Sequence, residues 1–228
     1  MWGAHFGLTR GRVWMATRDE QVRRLRAAVA TLPLVSATEL VEVLAQVVHP
    51  PTVRQITDDI VNSALRRRGL ASIVPVEAVI EAMCLPAAGR VDIFPGARRL
   101  LSGLAARGRV VIVSNTLWRR RAAVQRDFTE LGLAEYVSDY VMSIDVGWRK
   151  PHTLFFDAAL AAGGEAPERC ILIGDSETND IAPAHARGIG TIRVAIEAPR
   201  PMRSAAQHTC ASLDEATDLL PPPWGGGV

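Results

Sequence analysis

Hydrophobic positions recur along this chain with two different periods, and the change from one to the other divides it. From residue 17 to about residue 86 the period is helical. Thr17-Arg18-Asp19-Glu20 reads as a capping box, with Thr17 at the N-cap and Glu20 three residues on. Val22, Leu25, Ala28, Val29 and Leu32 then fall on one helical face. The segment 37–48 reads as a second amphipathic helix, begun by Ser36 and broken at His49-Pro50-Pro51. The pattern predicts a third helix over 52–70, ended by Gly69, and a fourth over 76–85, opened by Pro75.

Beyond residue 90 the pattern alternates. Val110-Val111-Ile112-Val113 is short, wholly apolar and β-branched, as a strand buried on both faces should be. Cys170-Ile171-Leu172-Ile173 reads the same way. Strands are also expected over 139–144 and, as the last one, over 191–195. Helices are expected over 95–107, opened by Pro95-Gly96, and over 118–131, 154–162 and 181–187. Strands alternating with helices predict an α/β fold, a doubly wound parallel sheet covered on both faces. The organisation expected is a helical cap at 17–86 inserted in a core made of 1–16 plus 87–220. The Pro- and Gly-rich tail, 221–228, is expected to be disordered.

Composition narrows the function classes. A chain of 228 residues with 48% hydrophobic and 22% charged residues can build a proper core. A net charge of +2 is too small to imply a nucleic-acid partner. No apolar run reaches the roughly 18 residues that span a membrane. Residues 1–12 lack the apolar core and small-residue cleavage pattern of a secretory signal. Cys84, Cys170 and Cys210 are far apart and form no CxxC pair, so free thiols in a cytoplasmic protein are expected. Of the 26 basic residues only Lys150 is a lysine. Either chance has left it, or its position needs a compact ammonium that a planar guanidinium cannot replace.

The candidate chemistry sits at the carboxyl ends of the expected strands. Ser114-Asn115-Thr116 follows the strand at 110–113. Lys150-Pro151 lies in the loop after the third strand. Asp175 and Asp180 follow Cys170–Ile173 in the run Gly174-Asp175-Ser176-Glu177-Thr178-Asn179-Asp180. In a parallel sheet these loops share one edge, where such folds bind ligands. A hydroxyl and free N–H groups at a helix start can hold phosphate oxygens. An ammonium neutralises charge on a phosphate, and one or two carboxylates suffice for Mg²⁺.

The order Ser-Asn, Lys-Pro and Gly-Asp-x-x-x-x-Asp resembles the second, third and fourth motifs of the haloacid dehalogenase-like hydrolase superfamily, in its phosphatase type with a helical cap. The resemblance runs from about residue 92 to 195 and includes Phe94-Pro95-Gly96. It implies that Ser114 and Lys150 are catalytic and that Ser114, Asn115 and Lys150 bind the substrate. It implies Mg²⁺ as cofactor, its metal residues being Asp175 as ligand and Asp180 as a carboxylate behind the ligand or a water-mediated ligand. The family's true dehalogenases need no metal and lack this acidic pair. The expected substrate is therefore a small phosphorylated metabolite, with neither nucleic acid nor membrane as partner.

One motif departs. The family's first motif, Asp-x-Asp after the first strand, supplies nucleophile and general acid/base. The corresponding region here, Met1 to Thr9, holds no carboxylate and leaves little room for a strand; the first acid in the chain is Asp19. Spacing places the missing Asp near residues 3–5. Three explanations stand: a segment before Met1 carries the motif, the protein is a phosphate-binding module without catalysis, or His5 has become the nucleophile.

Other polar residues read more plainly. His152 is expected to cap the next helix and His185 to be structural or exposed. Arg119-Arg120-Arg121 reads as a solvated helix start, with reach toward an anionic substrate as the sharper alternative. Trp118 and Trp148 read as packing residues.

Overall fold

The computed structural model describes residues 2–4, 9–10, 53–83, 92–116, 118–196 and 203–220. Its strands are β1 (Trp2–Ala4), β2 (Thr9–Arg10), β3 (Asp92–Ile93), β4 (Val110–Ser114), β5 (Asp139–Met142), β6 (Ile171–Gly174), β7 (Gly190–Val194) and β8 (His208–Cys210). Six of them form one parallel sheet in the order β5-β4-β1-β6-β7-β8, and β2 and β3 form a small antiparallel pair. The chain builds outward from β1 through β4 to β5, then crosses back to β6 on the other side. That reversal makes β1 the switch point, and the crevice at its carboxyl end is where a doubly wound sheet receives a ligand.

The helices are α1 (Val53–Arg67), α2 (Val76–Met83), α3 (Ala97–Ala105), α4 (Arg121–Glu130), α5 (Ser143–Val146), α6 (Thr153–Gly163), α7 (Ala182–His185) and α8 (Leu213–Asp218). They cover both faces of the sheet, and the side-chain alternation of β4 shows how. Val110 and Ile112 join Leu100, Leu101 and Leu104 of α3, Phe128 of α4 and Leu213 of α8 in one core. Val111 and Val113 face the other way, onto Phe155 and Phe156 of α6 and Ala184 of α7. All five residues of β4 are buried, as the β-branched run predicts. Each fully buried phenylalanine contributes about 1.5–3 kcal/mol relative to exposure.

The described part of the expected cap is helical. The helix expected over 52–70 is α1, which stops where Gly69 takes φ 69°; only glycine adopts that conformation without strain. The helix expected over 76–85 is α2. The first two expected cap helices and the tail at 221–228 lie outside the described residues. Helix α1 docks on the core through its first residue, whose N–H donates to the Gly147 carbonyl at 2.7 Å.

Four expectations need correction. Residues 1–9 leave more room than their length suggests: Trp2–Ala4 is the central strand, paired with β4 on one side and β6 on the other. Three residues suffice because both edges of the strand are bonded. The strand at 190–194 is not the last, since His208–Cys210 adds an outer one and α8 follows. His-Thr-Cys carries a single buried residue, Cys210, and has no apolar run to read. The strand expected over 139–144 ends at Met142, where Ser143 begins α5. The helix expected over 181–187 is a wide π-type turn, Glu177–Ile181, followed by the single turn α7.

Candidate active site

Each expected site residue lies at the carboxyl edge of the sheet or in a loop beyond it. Ser114 is the last residue of β4, where it pairs with Met142 of β5. It is 2% exposed, and its hydroxyl makes no hydrogen bond among the described residues. The loop after it is tied to α5: the Thr116 N–H donates to Ser143 Oγ at 2.7 Å, and that hydroxyl donates to the Thr116 carbonyl at 2.6 Å. Thr116 Oγ1 also donates to the Arg119 carbonyl at 2.8 Å.

Asn115 holds the main chain of Lys150 from both sides. Its Oδ1 accepts from the Lys150 N–H at 2.7 Å, and its Nδ2 donates to the Lys150 carbonyl at 3.0 Å. The peptide bond from Lys150 to Pro151 is cis. From this fixed backbone the lysine side chain runs into the protein and is wholly buried. Its Nζ donates to Asp180 Oδ1 at 2.5 Å, and neither side chain has exposed surface. The aliphatic stem brings Nζ to 5.9 Å from the centre of the Phe155 ring.

Asp180 reaches the lysine because the residue beneath it is glycine. A Cβ on Gly174 would lie 2.8–3.0 Å from Asp180 Cβ, Cγ and Oδ2. The second carboxylate oxygen, Oδ2, accepts the Ser176 N–H at 3.2 Å. Ser176 caps the turn by accepting from the Asn179 N–H. Asp175 follows Gly174 directly and is exposed at the sheet edge. Asn115, Lys150, Asp180 and the Gly174–Ser176 loop therefore form one connected set between β4 and β6.

The donors suit Mg²⁺ only in part. Among the described residues no group of three His, Cys, Asp or Glu side chains gathers. Mg²⁺ keeps several waters and is held by one or two carboxylates with substrate phosphate. Asp175, exposed at the ligand edge, meets that requirement. Asp180 uses one oxygen on the ammonium and the other on an N–H, which fits the water-bridged role better than direct coordination.

The neighbouring candidates have structural partners. His152 is the N-cap of α6, its Nδ1 accepting the Leu154 N–H at 3.2 Å, and Trp148 stacks on its ring with centroids 3.8 Å apart. His185 is exposed at the end of α7. The arginine run is solvated only in part: Arg119 is 4% exposed and paired with Asp127, while the Arg121 side chain is 56% exposed. Arg120 bonds Glu77 of α2 at 2.8 Å and faces Asp145 at 3.9 Å, while Arg121 pairs with Asp139 at 3.0 Å. Three successive cations thus tie this loop and the start of α4 to α2, α5 and β5. The reading missed Arg193 and Glu177, which sit beside Asp175; their separation in sequence gives no motif to find them by.

Comparison with known proteins identifies the family. A family model of haloacid dehalogenase-like hydrolases matches residues 12–188. The chain belongs to that family. Pyrimidine 5'-nucleotidase YjjG of Escherichia coli (strain K12) is 32% identical over 149 residues, 63% of this chain and 62% of that protein. Phosphoglycolate phosphatase of Rhodospirillum rubrum is 33% identical over 108 residues, 47% of this chain and 43% of that protein. The matched region thus spans less than two thirds of either curated relative. Among solved structures, 2-haloacid dehalogenase from Pseudomonas syringae pv. Tomato DC3000 superposes with a TM-score of 0.65 at 18% identity, covering 95% of this chain and 96% of that one. At that identity the likeness shows the shared fold. No helix among the described residues is long and apolar enough to cross a membrane.

Proposed function

We propose that this haloacid dehalogenase-like hydrolase is a Mg²⁺-dependent phosphatase of a small phosphorylated metabolite in the cytoplasm. The observation that carries the reading is the fully buried Lys150–Asp180 pair, set between Ser114-Asn115 and Gly174-Asp175 at the sheet's switch point. Ser114 offers a hydroxyl to a phosphoryl oxygen. Lys150, paired with Asp180, neutralises charge on the phosphoryl group through a charge-assisted hydrogen bond. Asn115 fixes Lys150 by its backbone and so sets where the ammonium lies. Asp175, with water and substrate oxygens, would hold Mg²⁺, which supplies Lewis-acid polarisation of a phosphoryl oxygen. Asp175 also favours phosphate over organohalide chemistry, since the resemblance assigns the acidic pair to the phosphatases.

The names of the two curated relatives, a nucleotidase and a phosphatase, support a small phosphorylated substrate. Neither supports a purely binding role. Cys170 and Cys210 are buried free thiols, which fits a reducing compartment. The carboxylate nucleophile that the resemblance implies has no counterpart in residues 1–18, and we assign the attacking group to no described residue.

The test is release of inorganic phosphate from a panel of sugar phosphates, nucleoside monophosphates and 2-phosphoglycolate, with Mg²⁺ or with EDTA. Mg²⁺-dependent release that disappears in Lys150→Met supports the reading. Equal release by Lys150→Met, or release indifferent to Mg²⁺, contradicts it.

A further inference from the structure

We infer that Arg193 and Glu177 are positioning residues that set the cation affinity of Asp175. The inference rests on the proposed reading of Asp175 as the metal ligand. Arg193 lies on β7 beside Gly174, in register with the last residue of β6. Its side chain reaches across to the loop that follows. Nε donates to the Asp175 main-chain carbonyl at 3.2 Å, and Nη1 donates to Glu177 Oε2 at 2.9 Å. One guanidinium therefore spans both ends of Asp175-Ser176-Glu177, a task its planar fork suits and a lysine cannot match.

Glu177 is held in turn from a distant part of the chain. Its Oε1 accepts the Ala205 N–H at 2.8 Å, and its Oε2 accepts the Ser204 hydroxyl at 2.6 Å. The result is an anchored ion pair, with side chains 15% and 28% exposed, behind the exposed Asp175 carboxylate.

Two consequences follow for a cation. First, pinning the main-chain carbonyl of Asp175 fixes the backbone that presents its carboxylate, so less backbone freedom is lost when the carboxylate takes a metal. Second, an arginine next to a metal site would repel the cation unless neutralised, and Glu177 neutralises it. Partners of this kind, which orient a ligand without touching the metal, change affinity by about 10- to 100-fold when removed.

The experiment is titration of the full chain with Mg²⁺ alone by calorimetry, and with Mn²⁺ alone by electron paramagnetic resonance. Wild type, Arg193→Ala, Arg193→Lys and Glu177→Gln are compared with Arg187→Ala, which loses a surface ion pair with Asp157. Expected are a Kd raised about tenfold by Arg193→Ala and Glu177→Gln, a smaller rise for Arg193→Lys, and no change for Arg187→Ala. Should Arg193→Ala fail to fold, Glu177→Gln, which keeps the Ala205 contact, carries the comparison. A Kd unchanged in both Arg193→Ala and Glu177→Gln overturns the inference and leaves Asp175 as the ligand. A wild-type chain that binds neither ion overturns the inference together with the metal assignment beneath it.

Discussion

Lys150 and Asp180 meet across 2.5 Å with no exposed surface on either side chain. A buried charge that loses its partner is destabilising by about 3–5 kcal/mol, whereas replacing both charges by apolar groups is often neutral. Asp180→Asn should therefore lower unfolding free energy in urea by that amount. The double variant Lys150→Met with Asp180→Leu should recover most of it. A double variant as unstable as the single one would show that the pair is not the source.

Gly174 is required by contact rather than by backbone angle. Gly174→Ala puts a methyl group within 3.0 Å of Asp180 side-chain atoms, and relief of such overpacking costs about 1–3 kcal/mol. The melting temperature should fall, and inorganic phosphate should bind more weakly because Asp180 and with it Lys150 must shift.

Asn115 should act through Lys150. Asn115→Ala removes two hydrogen bonds to the lysine main chain, each worth about 0.5–1.5 kcal/mol. A residue that only bound substrate would change KM alone. The positioning role predicts a fall in stability and in kcat, with kcat falling more than KM rises.

Two side chains set a pH dependence. Glu177 has a folded pKa below its ordinary value near 4.5, so its stabilisation is complete above that value and is lost as pH falls further, through the lowered one. Subtracting the stability profile of Glu177→Gln from that of wild type should give a difference that vanishes at the acid end. Tyr140 behaves oppositely. Burial pushes its phenol up to about 12, so the neutral form adds stability below pH 10 that is lost as pH rises toward 12. Absorbance at 295 nm should show one tyrosine titrating late. Because its hydroxyl has no hydrogen-bond partner among the described residues, Tyr140→Phe should be neutral or stabilising.

The sequence was most legible where chemistry and periodicity coincide. The all-apolar run at 110–113 announces a doubly covered strand, and Ser114 behind it falls at the ligand edge. The only lysine among 26 basic residues proves to be fully buried and paired. What escaped the reading lacked a local signature. Trp2–Ala4 is a strand because two neighbours bond it, not because its residues favour one. His208–Cys210 is an outer strand with one apolar contact to the core. The arginine run looked solvated because its acidic partners Asp127, Asp139, Asp145 and Glu77 are spread over four elements. Asn115 carried the family's expectation of substrate contact, while its amide is engaged with Lys150, a relation no spacing reveals.

Calorimetric titration with inorganic phosphate in the presence of Mg²⁺ addresses the central claim most directly, because binding does not depend on a nucleophile. Wild type and Ser114→Ala are compared, the latter leaving the Lys150–Asp180 pair intact. The account predicts saturable binding to the wild-type chain that weakens about tenfold in Ser114→Ala, the effect of one lost hydrogen bond to a charged group. Phosphate that fails to bind wild type, or binds both proteins equally, would contradict a phosphoryl site at this sheet edge.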